Sequence, residues 1–216
     1  MTQVLEEAMT TSLSPIDLHI PPNFVLDVRN VLSTEQFEQL SRANRDTRME
    51  LTSHGELILM PPTGSKTGLR NSEIHRQLAN WAKMDGSGVV FDSSTGFTLP
   101  NGARRSPDSS WVRRERWEAL TEEEQDGFAP LCPDFVIELR SRSDDLPPLP
   151  EKMCEYIRNG ASMAWMLDQV RKRVFIYLPL DDDLMNIEPL QVLEDPESIA
   201  GDPILMGFVL NLREVW

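Results

Sequence analysis

Residues 133–143 read Pro-Asp-Phe-Val-Ile-Glu-Leu-Arg-Ser-Arg-Ser, which is typical of a buried strand with charged residues inserted on one face. Because successive side chains of a β-strand point to opposite faces, Phe135 and Leu139 share one face. Glu138 and Arg140 lie on the other face of the same strand. A carboxylate and a cation are costly to bury on such an apolar strand unless they have partners, a metal or a function. The pattern therefore predicts a central strand with charged groups on one face.

Similar patterns predict helices and strands along the rest of the chain. The predicted helices are a short one opened by the capping box Ser33–Gln36, a long one over about 67–84, a charged helical connection over 113–126, and one from Pro150 to just before Gly160. The predicted strands are 55–60, 89–92, 97–99, 108–112, 134–140, 164–167 and 173–178. We expect 89–92 to pair with 97–99 as a hairpin, and 164–167 to pair with 173–178. Since helices fall between strands, the order predicts an α/β fold, a central mixed β-sheet flanked by helices.

Length and composition indicate how the chain is organised. We expect a loose N-terminal arm over residues 1–22, a single folded domain over 23–216, and a polar loop over 141–149. No run approaches the roughly 18 apolar residues that a membrane span needs, and we expect no signal peptide. Cys132 and Cys154 are too few for a disulfide framework, which favours a reducing cytoplasm.

The charge is strongly negative and uneven. A net charge of −14 argues against a protein that coats nucleic acid without specificity. The segment Asp181–Asp202 holds eight acids and no lysine or arginine, whereas Arg104–Arg116 holds five arginines against Asp108 and Glu115. These arginines are either a solvated face or contacts for phosphate groups.

Two acidic residues are candidates for metal chemistry. Asp108 at the start of one strand and Glu138 within its neighbour would meet at one edge of the core. Hard cations such as Mg²⁺ prefer such oxygen ligands and can activate a water for attack on a phosphate. Arg140 and Lys152 are candidates for a nearby cation, and Glu73 could add a third carboxylate if its helix packs across the same end.

Each of these residues also has a structural interpretation. Asp108 could cap a turn after a proline. Glu138 could form an ion pair with Arg140 or Lys152. Glu73 could be a solvated helix residue. The residue types alone leave these alternatives open.

Five segments in order carry a resemblance to a known family. They are Gly55–Gly64, Ser106–Val112, Pro133–Leu139, the spacing Lys152…Tyr156…Gly160, and Trp165–Asp168. Pro107-Asp108 followed by Glu138-Leu-Arg140 resembles the PD-(D/E)xK nuclease signature of the restriction-endonuclease-like superfamily. Over about 30–178 the chain more closely resembles the Uma family of bacterial endonucleases within it.

The resemblance implies a restriction-endonuclease-like fold and a metal-dependent endonuclease that hydrolyses phosphodiester bonds of DNA. It makes Asp108 and Glu138 ligands of Mg²⁺ or Mn²⁺, Glu73 an accessory acid, and Lys152 the assisting lysine. Arg140 occupies the lysine position of the signature, where it can hold a phosphate or a water but cannot act as a base. The alternative is a catalytically inactive chain that keeps the fold to bind nucleic acid or protein. We also expect a homodimer, because cutting both strands usually needs two sites.

Overall fold

The computed structural model describes residues 24–29, 31–60, 62–140, 148–179 and 187–216. The predicted arm, 1–22, and most of the predicted loop, 141–147, lie outside these ranges. Across the described residues, no helix combines the length and the apolar character that crossing a bilayer requires.

The described elements follow each other as a series of strands interrupted by helices. The strands are β1 (Phe24–Asp27), β2 (Arg48–Leu51), β3 (Glu56–Met60), β4 (Gly88–Asp92), β5 (Phe97–Thr98), β6 (Arg104–Arg105), β7 (Ser109–Arg113), β8 (Phe135–Arg140), β9 (Met163–Asp168), β10 (Arg173–Tyr177), β11 (Gln191–Glu194), β12 (Ser198–Ala200) and β13 (Val209–Asn211). The α-helices are α1 (Thr34–Ala43), α2 (Ser65–Asp85), α3 (Arg114–Glu118), α4 (Glu122–Asp126) and α5 (Pro148–Arg158), and a 3₁₀ turn follows β13 at Leu212–Glu214.

The largest sheet is mixed, as predicted. Its strand order is β11-β10-β9-β8-β7-β4, with β8 and β9 parallel and the other neighbours antiparallel. The predicted hairpin of 164–167 with 173–178 is confirmed by the antiparallel pairing of β9 with β10. Helix α2 packs on one face of this sheet and α5 on the other. The predicted α/β class with helices flanking a central mixed sheet is therefore confirmed.

Strand β8 divides its side chains between two hydrophobic cores. Phe135, Ile137 and Leu139 are buried on the α2 face, beside Ile74 and Leu78 of that helix. The opposite face of β8 packs against Met153 and Ile157 of α5 through Val136. Full burial of each such side chain is worth about 1.5–3 kcal/mol. Two apolar layers thus fix β8 at the middle of the molecule and hold its polar positions in place.

A second sheet has the order β1-β3-β2-β6-β5. The predicted hairpin of 89–92 with 97–99 is wrong, because β4 pairs with β7 whereas β5 pairs with β6 in this second sheet. The carboxylate of Asp92 accepts hydrogen bonds from the backbone and hydroxyl of Ser94, which turns the chain between the two strands. Phe97 then packs edge-on against Phe91 at 5.3 Å between ring centroids. Strands β4 and β5 are therefore connected by side-chain packing between the two sheets and not by the backbone hydrogen bonds of a hairpin.

The helix ends follow local signals closely. Ser33 caps α1 in a capping box with Gln36, as predicted. Helix α2 ends at Gly86, whose φ of 76° lies in the left-handed region that favours glycine. Helix α5 begins at Pro148 rather than at the predicted Pro150.

Candidate active site between the two sheets

A cleft of about 1640 Å³ opens where the two sheets approach each other. Its walls come from β2 and β3 of the second sheet, from the residues around Asp108 and Glu138 of the large sheet, and from α2 and α5. Three buried carboxylates, Glu50, Asp108 and Glu138, line it, and we call them the carboxylate centre. The chemistry of the cleft depends on how each carboxylate is held.

Asp108 stands just before β7. Ser109 pairs with Ile137, so the antiparallel register places Asp108 beside Glu138. The Leu139 backbone N–H donates to Asp108 Oδ2 at 2.8 Å. Asn71 Nδ2 and Arg48 Nη1 donate to Oδ1 at 3.2 and 3.1 Å. The side chain is therefore held from β8, α2 and β2 at once.

Glu138 projects from the middle of β8 toward α5. Its Oε1 accepts a hydrogen bond from the Tyr156 hydroxyl at 2.9 Å and lies 2.7 Å from Lys152 Nζ. Lys152 and Tyr156 are one turn apart on α5 and therefore share a face of that helix. The face of β8 that carries Glu138 thus meets the polar face of α5.

Glu50 comes from β2 of the second sheet and is as deeply buried as Glu138. Its Oε1 accepts from Lys152 Nζ at 2.8 Å and from the Ser106 backbone N–H at 2.9 Å. Its Oε2 lies 3.1 Å from Arg105 Nη1. Arg105 in turn contacts Glu155 of α5 at 2.6 Å. Lys152 therefore lies between two carboxylates that belong to different sheets.

The surroundings of Glu138 make its ionisation less favourable than that of an exposed glutamate. Burial raises the pKa of Glu138 to about 7; Lys152 opposes the rise, while the negative charges of Asp108 and Glu50 add to it. A carboxyl group with such a raised pKa loses its proton readily when a cation binds nearby.

Glu50 and Lys152 are held in their charged forms. Burial works to raise the pKa of Glu50, but Lys152 and Arg105 outweigh it and lower that pKa to about 2. Burial works to lower the pKa of Lys152, but Glu138 and Glu50 outweigh it and raise that pKa. Lys152 is therefore an ammonium ion at neutral pH, which suits it to the role of a cation and not of a base.

The structure brings three of the five residues predicted from sequence into one site: Asp108, Glu138 and Lys152. Arg140 shares a face of β8 with Glu138, but its guanidinium pairs with Asp168 at 2.6 Å. Glu73 accepts hydrogen bonds from Arg76 and Gln77. It follows Asn71 by two positions on α2, which rotates it by about 200° away from Asp108.

The arginines over 104–116 are largely engaged in structural contacts. Arg105 pairs with Glu50 and Glu155, as described above. Arg113 and Arg116 both contact the buried carboxylate of Asp134, at 3.2 and 3.0 Å. Arg104 is buried with its guanidinium 5.8 Å from the ring centroid of Phe37. Most of this cluster therefore stabilises the fold.

Sequence reasoning missed Glu50, Arg48 and Asn71. Met49 and Leu51 alternate with Arg48 and Glu50, a pattern that is typical of a strand with one solvated face. The alternation indicates that Arg48 and Glu50 share a face, but gives no sign that this face is covered. The signal that could have identified Arg48 and Glu50 is their position as polar residues on a strand next to the matched Gly55–Gly64 segment.

The donor atoms suit a hard cation such as Mg²⁺. Over the described ranges, no group of three or more histidine, cysteine, aspartate or glutamate side chains is arranged to hold a metal. Mg²⁺, however, is commonly held by one or two carboxylates together with water. Asp108 and Glu138 supply two carboxylates, and Asn71 Oδ1 beside them is a buried acceptor without a hydrogen-bond partner among the described residues. These residues therefore fit the ion.

The walls of the cleft carry a different charge from the chain as a whole. Basic and acidic side chains are nearly balanced there: Arg42, Arg45, Arg48, Lys66, Arg70, Arg105, Lys152 and Arg158 against Asp46, Glu50, Glu56, Asp108, Glu138, Glu151 and Glu155. Since the net charge is −14, the excess of acids lies outside the cleft. A polyanion approaching the cleft meets a weaker repulsion than the total charge suggests.

Comparisons with known proteins agree with this architecture. A family model described as "Uma2: Putative restriction endonuclease" matches residues 34–213. A crystal structure of "a putative nuclease belonging to DUF820" from Anabaena variabilis ATCC 29413 superposes with a TM-score of 0.63. The two chains are 19% identical, and the match covers 77% of this chain and 88% of the other, so the likeness shows a shared fold. A search of curated proteins found no match.

Proposed function

The chain belongs to the Uma2 family, whose description is "Putative restriction endonuclease", and from that premise we propose that it is a divalent-metal-dependent endonuclease that hydrolyses phosphodiester bonds of DNA. Family membership supports a nuclease function. The metal, the substrate and the working residues are our proposal. One observation carries it: Asp108, directly before β7, lies beside Glu138 of β8, and Lys152 Nζ is 2.7 Å from Glu138.

In this proposal Asp108 and Glu138 hold the metal ion. Bound Mg²⁺ or Mn²⁺ supplies Lewis-acid chemistry, which lowers the pKa of a water and offsets negative charge on the phosphate. The Leu139 N–H orients Asp108, and the Tyr156 hydroxyl orients Glu138. Fixed orientation matters because preorganised charges stabilise a transition state without rearranging.

Lys152 supplies the cation in the proposed site. Its ammonium would hold a phosphate oxygen or the attacking water, and it would offset the charge that builds on the phosphate. Arg140, in the lysine position of the signature, is engaged by Asp168, and Glu73 is engaged on another face of α2. The proposal therefore gives Arg140 and Glu73 no direct part in the reaction.

Plasmid cleavage tests this proposal. Purified protein with supercoiled plasmid and Mg²⁺ or Mn²⁺ should produce nicked and linear DNA. Asp108→Asn and Glu138→Gln should each lower the rate about 100-fold or more. Glu56→Gln is the matched control, because Glu56 is an exposed carboxylate on the wall of the same cleft. Cleavage that survives both site substitutions unchanged would reject this site.

The second candidate function is a non-catalytic module that binds nucleic acid or protein. The observation that favours it is the Arg140–Asp168 pair, which leaves the signature's lysine position engaged elsewhere. Calorimetric titration with Mg²⁺ and Mn²⁺ separates the two candidates. Metal binding that disappears in Asp108→Asn supports the nuclease. Salt-sensitive DNA binding without metal binding supports the module.

We further propose that the protein works as a homodimer in the cytoplasm. Two sites related by a two-fold axis would cut both strands of a duplex. Cys132 and Cys154 are free thiols, which suits a reducing compartment. Light scattering at micromolar concentration should give about twice the mass of one chain, and a monomeric mass would contradict the dimer.

A further inference from the structure

We propose that Glu50 is a positioning residue for Lys152, and that it keeps the lysine ammonium in place when a metal ion takes up the charge of Glu138. The inference rests on the proposed function, because it assigns a role in that same site. Neither the sequence patterns nor the family resemblance assigns a role to Glu50.

Lys152 has two anionic partners at nearly equal distance. Its Nζ lies 2.7 Å from Glu138 Oε1 and 2.8 Å from Glu50 Oε1. Glu138 is one of the two proposed metal ligands, and Glu50 lies across the cleft on the second sheet. The lysine is therefore shared between a carboxylate that would bind metal and one that would not.

A bound cation changes this balance. Once a divalent ion neutralises Glu138, the attraction between Glu138 and Lys152 weakens, and the ion itself repels the ammonium. A long lysine side chain with one weakened partner would leave for solvent, where it is strongly hydrated. Glu50 is the anion that remains, so Lys152 stays near the ion only if Glu50 holds it.

Glu50 is anchored well enough to do this. Besides Lys152, its oxygens accept from the Ser106 N–H and from Arg105. Arg105 is fixed by Glu155, three residues after Lys152 on α5. The anchor therefore ties β2 and β6 to the helix that carries the lysine. Substrate-positioning groups depend on this kind of fixed geometry, and a small misplacement can cost about 100-fold in rate.

Kinetics of Glu50→Gln form the first test. This substitution keeps the shape and much of the hydrogen bonding of Glu50 but removes its charge. We expect kcat to fall at least about tenfold while KM for DNA changes little, because the basic side chains on the cleft walls are unchanged. Glu50→Asp should recover part of the loss. In the Lys152→Met background, Glu50→Gln should have almost no additional effect, since its role passes through the lysine.

Chemical labelling of lysine gives a readout that does not need cleavage. The chain has lysines only at 66, 83, 152 and 172, so mass spectrometry can follow each one during acetylation. Lys152 of the wild type should label slowly with or without Mg²⁺. In Glu50→Gln its rate should rise several-fold relative to the other three, and most strongly with Mg²⁺. Glu50→Asp provides the same readout if Glu50→Gln does not fold.

The outcomes are distinct. Unchanged Lys152 labelling in the folded Glu50 variants, or a kcat equal to that of the wild type, would overturn the inference. Full additivity with Lys152→Met would also overturn it. A wild-type protein that cuts no DNA but shows the predicted labelling change would instead contradict the proposed nuclease function and leave the position of Lys152 explained.

Discussion

Two buried carboxylates, one directly before β8 and one within it, have very different surroundings. Asp134, just before β8, accepts from the Arg113 backbone N–H at 2.9 Å and contacts the guanidinium groups of Arg113 and Arg116. Glu138, within β8, forms an ion pair with Lys152; burial raises its pKa, and the charges of two neighbouring carboxylates, Asp108 and Glu50, add to the rise. The first carboxylate is surrounded by cations, and the second by competing anions.

This difference separates a structural carboxylate from a candidate ligand. Asp134 has its charge compensated by the fold itself, so an added cation would gain little there. The carboxylate centre holds three carboxyl groups around Lys152, Arg48 and Arg105 and opens into the cleft. A cation arriving at Glu138 would therefore reduce repulsion that is already present. Burial alone does not distinguish the two sites, whereas the balance of neighbouring charges does.

The largest expected contrast is in the stability of the metal-free protein at pH 8. Asp134→Asn should lower the free energy of unfolding by about 1.5–3 kcal/mol, because hydrogen bonds to an ionised group are lost. Glu138→Gln should leave it unchanged or raise it. The folded pKa of Glu138, about 7, lies above its ordinary value of 4.5, so its ionisation costs stability as pH rises from about 4.5 to 7. The glutamine removes that cost.

Urea unfolding with a chelator present measures both values. The difference between Glu138→Gln and the wild type should shrink at pH 5, where Glu138 is protonated in the folded state and most of the cost of its raised pKa is absent. If Glu138→Gln is destabilised more than Asp134→Asn at pH 8, the proposed contrast between the two carboxylates is incorrect.

A smaller effect is expected in the pH dependence of metal binding. Glu138 must be ionised to hold the ion, so a proton competes with the metal below about pH 7. Mn²⁺ affinity should be about tenfold weaker at pH 6 than at pH 8. Calorimetry in two buffers of different ionisation enthalpy also counts the released proton. Asp134→Asn should show the same pH dependence, and equal wild-type affinity at both pH values would count against Glu138 as a ligand.

The smallest effect concerns contacts between DNA and the cleft walls. Arg45 and Lys66 are exposed on those walls, whereas Lys83 is exposed in the last turn of α2, outside the cleft. In a Glu138→Gln background, Arg45→Gln and Lys66→Gln should each reduce the slope of log affinity against log salt by about 1. Fluorescence anisotropy with a duplex oligonucleotide measures this slope. Lys83→Gln should leave the slope unchanged. If all three variants have the same slope as the Glu138→Gln parent, the DNA binds elsewhere.

Local patterns in the sequence determined much of this protein. Alternation along 135–140 assigned the faces of β8, because a strand has a fixed period of two. The capping box at Ser33 marked the start of α1, and Gly86 stopped α2. The family segments led to Asp108, Glu138 and Lys152, which the structure brings together.

Contacts between distant segments were decided by the tertiary structure. Lys152 meets Glu50 across 102 positions of the chain, and no local period reports such a contact. Asn71 rather than Glu73 reaches Asp108, because the direction in which α2 packs selects one face of the helix. Strand pairing separated β4 and β5 into different sheets, and contacts with Asp108 and with Lys152 of α5 covered the polar face of β2. A sequence period tells which side chains share a face; only packing tells what that face meets.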